Sequence, residues 1–238
     1  YLPDHIPLSK RGFVPTVANM TSTFWNPQFV VYLIASSFVA FINTVPSLLM
    51  FFLRYCMNIH DMATTYYSAM VGAFVLCGVA VIPFLRPYII KYGTLSCIKL
   101  SLGVATVMGS ALFIASYVSI YFIIVAFGAV GTFSTVANIV LSVIYAETID
   151  YDELLTGKKR GSSYSGVHGP FRLIIQYAGG SIPLMLMSAT GFVTSNDDDH
   201  DDATSSTPAS TLVLRLWCTL FMSLAMGCAY LAISQYEV

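Results

Sequence analysis

The sequence has 238 residues, of which 56% are hydrophobic and only 10% are charged, against about 25% charged in a soluble domain. The charges lie between long apolar runs, the pattern a bilayer demands, so a water-soluble globule is excluded. A net charge of -1 supplies no basic field, and nothing points to nucleic acid as a partner.

Residues 1–27 are polar and proline-punctuated and read as a cytoplasmic segment. They begin at Tyr1 with no signal-peptide pattern, so the expectation is the interior of a longer chain. A first span is expected at about 29–53, interrupted by Asn43, Thr44 and Pro46 and closed by Arg54. A second follows at about 63–85, then a tight basic turn from Arg86 to Gly93. Residues 95–146 are almost continuously apolar. One helix of that length would be about 75 Å long, against a hydrocarbon core of about 30 Å. Two spans are therefore expected, about 95–116 and 118–146, with the break at Ser116-Tyr117-Val118-Ser119. A charged loop is expected from Glu147 to Gly166, then a fifth span at about 167–192, which Gly179, Gly180 and Pro183 should bend. An acidic Ser/Thr-rich loop leads to the sixth span, about 211–234, and a short cytoplasmic tail at 235–238. The fold class is all-α and membrane-embedded, with six transmembrane helices and the bilayer as a partner.

Basic residues set the orientation. The side holding the start of the first span, side A, would carry Lys10, Arg11, Arg86, Lys91, Lys158, Lys159 and Arg160. The opposite side would carry only Arg54 and Arg215. Side A, with both termini, is therefore expected to be cytoplasmic, and the sequon Asn19-Met20-Thr21 to be unused. The five cysteines show no CxxC spacing and read as small buried hydrophobes. The Asp197–Asp202 cluster with His200 lacks the glycine and spaced glutamate of a calcium loop, and His60-Asp61 is no stronger. No metal site is expected. No nucleotide loop or hydrolase elbow is present, so an enzyme is not expected.

Three groups of residues carry candidate chemistry. Glu147, Asp150, Asp152 and Glu153 stand beside Lys158, Lys159 and Arg160 at the cytoplasmic end of the fourth span. They read either as a charge network that latches the cytoplasmic mouth in one state or as an ordinary charged loop that anchors topology. Arg172 lies about six residues inside the fifth span. An arginine there costs roughly 2.5–3.5 kcal/mol on insertion scales, so it faces a cavity or partner, or it snorkels to the interface. Asn43 and Gln176 are polar residues within spans, with roles in helix packing or in lining a cavity. Gly128, Ala129 and Gly131 in the fourth span and Gly103 in the third permit close helix contact.

Asp150-Tyr151-Asp152-Glu153, Thr156-Gly157-Lys158-Lys159-Arg160 and Ser163-Tyr164-Ser165-Gly166 together resemble a motif of the glycoside–pentoside–hexuronide:cation symporters of the major facilitator superfamily. Asn26-Pro27-Gln28-Phe29 is similar to their short motif ahead of the seventh helix. The resemblance implies the carboxy-terminal half of a twelve-helix transporter, made of two inverted three-helix repeats. Its partners would be the amino-terminal six-helix half and a small-molecule substrate. It implies symport of a sugar or glycoside with sodium or protons by alternating access. The coupling cation would be bound chiefly by the other half, and no other cofactor is implied. It also implies substrate contact for Arg172 and His168, and for Asn138 at a position where a relative stacks a tryptophan on the sugar. An asparagine cannot stack in that way. The pattern departs from many members at Arg160-Gly161-Ser162, where they carry two basic residues and an acidic one. Alternatives are a lysolipid or amino-acid carrier of the same superfamily, a channel or receptor, and a truncated protein that does not transport.

Overall fold

The computed structural model describes residues 20–59, 62–157, 160–191 and 208–236. Six long helices fill these residues: α1 (Pro27–Cys56), α2 (Ala63–Tyr92), α3 (Thr94–Ala115), α4 (Ile120–Thr156), α5 (Gly161–Ala189) and α6 (Pro208–Ser234). Five are long and apolar enough to cross a membrane. The remaining one, α5, has 29 residues but is more polar.

Local chemistry sets the helix ends. Asn26 caps α1, its Oδ1 accepting from the amides of Gln28 at 3.0 Å and Phe29 at 3.3 Å, and Pro27 needs no partner for an amide it lacks. Ser119 caps α4 in the same way through the Tyr121 amide. Gly157 closes α4 in the left-handed region at φ 66°, where a side chain would be strained.

Three expectations are corrected. The stretch from Glu147 is not loop: α4 stays helical to Thr156, and residues 157–160 alone join it to α5. The basic segment from Arg86 is also helical, to Tyr92, with Pro83 and Pro87 inside α2. Membrane helices tolerate proline because neighbouring groups take up the freed backbone atoms. Cys77 and Cys228 are exposed, while Cys97 and Cys218 are buried and all five thiols are free. By contrast α1 is interrupted at Asn43 and Thr44, directly ahead of Pro46. The Asn19 sequon, His60-Asp61 and the Asp197–Asp202 cluster lie outside the described residues.

The helices alternate in direction. The start of α1 lies beside the end of α4, the start of α5 and the end of α6, with Asn26 reaching Tyr164 and Thr148 reaching Tyr236. This is side A. At the opposite end, side B, the end of α1 meets the start of α6. The packing repeats under exchange of α1–α3 with α4–α6. The contact of α1 with α6 corresponds to that of α4 with α3, α1 with α5 to α4 with α2, and α2 with α3 to α5 with α6. The α1–α4 and α3–α6 contacts map onto themselves. Since α1 starts on side A and α4 on side B, the two repeats are inverted. One contact breaks the symmetry: α1 packs on α2, but α4 and α5 make no comparable helix contact.

Ile42, Leu48, Leu49, Leu102, Ile123 and Ile144, on α1, α3 and α4, are among the most buried side chains. Small residues bring α4 onto α2. A Cβ on Gly131 would stand 2.6 Å from the Phe74 carbonyl oxygen, and Gly78 packs against Thr135. Gly128 meets Cys77, whereas Gly103 has only the Tyr230 ring at 3.9 Å. Between α3 and its neighbours, Ser101 donates to the Phe133 carbonyl at 2.6 Å and Ser223 to that of Thr106 at 2.7 Å.

Candidate functional site

His168, Arg172 and Gln176 are spaced by four and share one face of α5, all half-buried. Across from this face stand Tyr32 of α1 and Asn138 and Tyr145 of α4. Where α4 and α5 lack helix packing, these side chains bridge them. The Arg172 Nη2 donates to Asn138 Oδ1 at 3.1 Å, and Asn138 Nδ2 donates to its own helix at the Ser134 carbonyl, 2.9 Å away. Both ends of the amide are thus committed, which fixes its orientation. One helical turn nearer side A, Tyr32 Oη and His168 Nε2 are 3.0 Å apart, and Tyr145 Oη and Ser165 Oγ are 2.9 Å apart. The three rings form a closed group: Tyr32–Tyr145 at 5.2 Å, Tyr145–His168 at 5.1 Å and Tyr32–His168 at 5.3 Å between centroids.

Arg172 has no carboxylate partner among the described residues. Its charge is met by one neutral amide oxygen, in a part of the bundle where burying an unpaired charge is costly. The structure therefore brings together Arg172, His168 and Asn138 of the sequence-derived candidates. Gln176 shares their face, and Asn43 lies at the α1 interruption. Both are half-buried and make no side-chain hydrogen bond to another described residue. Tyr32 and Tyr145 escaped the sequence reading. Tyr145 lies seven residues, about two turns, beyond Asn138 on the same face. Extending the stripe from Asn138 would have found it. Tyr32 carries no such signal in an apolar run.

At the side A end, Arg160 grips Asp152 with both arms of its fork, Nη2 to Oδ1 at 2.8 Å and Nε to Oδ2 at 3.1 Å. Its remaining arm reaches Ser22 Oγ at 3.2 Å, ahead of α1. Asp152 is only 6% exposed, so this is no surface pair. Beside it Tyr164 is fully buried, receives Asn26 Nδ2 at 3.3 Å, and meets the Phe29 ring edge-on at 4.7 Å. Met20 packs on Gly166. The motif residues Asn26, Phe29, Asp152, Arg160, Tyr164 and Gly166 thus form one junction that ties the entry of α1 to the α4–α5 hairpin. Of the other expected network members, Glu147 and Asp150 are exposed and Glu153 is half-buried. Lys158 and Lys159 lie outside the described residues.

At side B, Arg215 makes a different contact. Its Nη2 donates to the Cys56 carbonyl at 2.9 Å, and its guanidinium lies 4.1 Å from the centre of the Tyr117 ring. This fastens α6 to the end of α1 and to the α3–α4 turn.

A family model described as MFS/sugar transport protein matches residues 5–237. No curated protein and no solved structure matches the chain.

Proposed function

The chain belongs to the MFS/sugar transport protein family, a family of integral membrane transporters, and from that premise we propose that it is the carboxy-terminal half of a cation-coupled symporter for a sugar or glycoside. The proposed partner is an amino-terminal six-helix half, which would cover the open face of α2 and α5 and hold a coupling sodium ion or proton. Resemblance of the Asp150–Gly166 stretch and of Asn26–Phe29 to the glycoside–pentoside–hexuronide:cation symporters supports this finer placement.

One observation carries the reading. Polar side chains of α1, α4 and α5 converge inside an otherwise apolar bundle, between α4 and α5, which lack the contact that their repeat counterparts α1 and α2 make. Arg172 and Asn138 supply a donor fork and an amide suited to hydroxyls or a carboxylate. Tyr145 and His168, both half-buried, supply aromatic faces of the kind that sugar rings stack against. This offsets the absence of an indole at position 138. In the same reading, the Asp152–Arg160 junction is the latch of the cytoplasmic mouth, with side A facing the cytoplasm.

The test is uptake of radiolabelled hexoses, β-galactosides and lysolipids by the full-length transporter in sealed vesicles. Arg172→Ala is expected to lower sugar uptake at least tenfold while leaving the amount of protein in the membrane unchanged. Sugar uptake that survives the substitution would return Arg172 to an interfacial anchor, and lysolipid uptake alone would replace the sugar reading.

A further inference from the structure

Between Met62 and Ala146 the sequence has Arg86, Lys91 and Lys99 but no aspartate or glutamate. The three cations cluster where α2 ends and α3 begins, at side A, and among the described residues none has a carboxylate partner. An apolar groove runs down from this hairpin. Val81, Phe84 and Tyr88 of α2, Leu100 of α3, and Phe133 and Val136 of α4 line it. The Ser101 hydroxyl in its wall is spent on the Phe133 carbonyl at 2.6 Å. Its rim is open, with Phe84 71% and Leu100 49% exposed. Phe133 and Val136 stand on the side of α4 opposite Asn138 and Tyr145. The groove therefore opens outward beside α3, away from the α4–α5 cleft, and meets the bilayer.

Size and charge say what fits there. The groove holds about 160 Å³. A turn of helix about 10 Å wide and 5.4 Å tall would need more than twice that space. A lipid tail is thinner and bends to its walls. Lys91 follows Phe84 by seven residues and Tyr88 by three, so it continues their face of α2 toward the headgroups. It is exposed, and its ammonium lies 5.0 Å from the centre of the Tyr92 ring. At the same level Gly93 gives α3 no side-chain cap, which leaves the first-turn amides to other acceptors. Where side A faces the cytoplasm, it meets the leaflet that holds the anionic lipids.

We propose that the α2–α3 hairpin binds one anionic phospholipid, its phosphate at Lys91 and one acyl chain in the groove against Phe84, Leu100 and Phe133. The site does not depend on which solute is carried, so its failure leaves the transport reading in place. One basic residue near the membrane surface gives roughly a fivefold preference for an anionic headgroup. Lys99 stands on the far side of α3 from Cys97 and Ser101 and takes no part.

The test is native mass spectrometry of the delipidated full-length transporter in detergent, titrated with phosphatidylglycerol or with phosphatidylcholine of the same chains. Phosphatidylglycerol is expected to bind about fivefold more tightly. Lys91→Gln should bring the two lipids level, and Lys99→Gln should leave the preference intact. Leu100→Trp, which fills the groove, should weaken both lipids severalfold. Glycerol 3-phosphate, the headgroup without chains, should displace neither. Equal binding of the two lipids by the unaltered protein overturns the inference. So does a preference that Lys91→Gln leaves intact, or that Lys99→Gln lowers as much, since diffuse surface charge would then explain it. Full binding by Leu100→Trp, or displacement by glycerol 3-phosphate, removes the groove from the site and overturns it too.

Discussion

The Arg160 guanidinium spends two of its arms on a carboxylate that is almost wholly enclosed and a third on Ser22. Removing one member leaves the other partly buried without its counter-charge. Asp152→Ala is expected to cost about 1.5–3 kcal/mol, the range for hydrogen bonds to charged groups, and to lower the melting temperature in detergent. Exchange of the two, Asp152→Arg with Arg160→Asp, should recover part of the loss. If the pair is a latch, both single variants also raise the reactivity of cysteines engineered into the side A mouth. Asp150→Asn should change neither property, because Asp150 points to solvent. The sequence could nominate four carboxylates and three cations but not the pair among them. Which acid faces inward depends on α4 continuing as helix for ten residues past Ala146, where the run of charges predicts a loop. Arg172 was legible for the opposite reason: a lone charge inside an apolar run is conspicuous whatever surrounds it. Tyr32 and Tyr145 were not, since aromatics make up 14% of the chain and most of them line no site.

At the scale of helices, glycine decides how closely α2 and α4 approach. The carbonyl and Cα of Phe74 occupy the place where a Gly131 side chain would begin, at 2.6 and 2.7 Å. These are backbone atoms and cannot swing aside. Gly131→Val is expected to separate the two helices and to abolish the monodisperse peak in detergent size-exclusion chromatography. Gly72→Ala, with nothing within 4 Å, should be tolerated or gain about 0.5–1 kcal/mol. The small residues of α4 were readable as contact points, but their partner was not, because one sequence gives no pairing of helices. The α4 terminus differs from the sequence expectation for a physical reason. Charged residues signal the edge of the membrane, not the end of a helix, and α4 continues into the aqueous layer until Gly157 supplies a left-handed stop.

Across the whole molecule, the inverted repeat is written in the contacts and not in the residues. Its two halves share packing partners but no motif that could be aligned by eye, so only the arrangement of the helices reveals it. The orientation proposed here has a direct check. In sealed right-side-out vesicles that carry the protein, an epitope inserted after Gly157 should be reached by antibody only after permeabilisation, and one placed between Met57 and Met62 should be reached without it. The opposite labelling would invert the proposed topology and move the latch to the other mouth.

The interruption of α1 has a consequence of its own. At Asn43, Thr44 and Ser47 the amides bond three residues back, to Ala40, Phe41 and Thr44, and Pro46 has no amide to offer. Such bonds are less well aligned than the regular ladder. In deuterium-exchange mass spectrometry, label is expected to enter residues 43–47 before the flanking turns at 30–40. The helix is therefore expected to open first at its middle, with that joint as the place where its two segments would tilt.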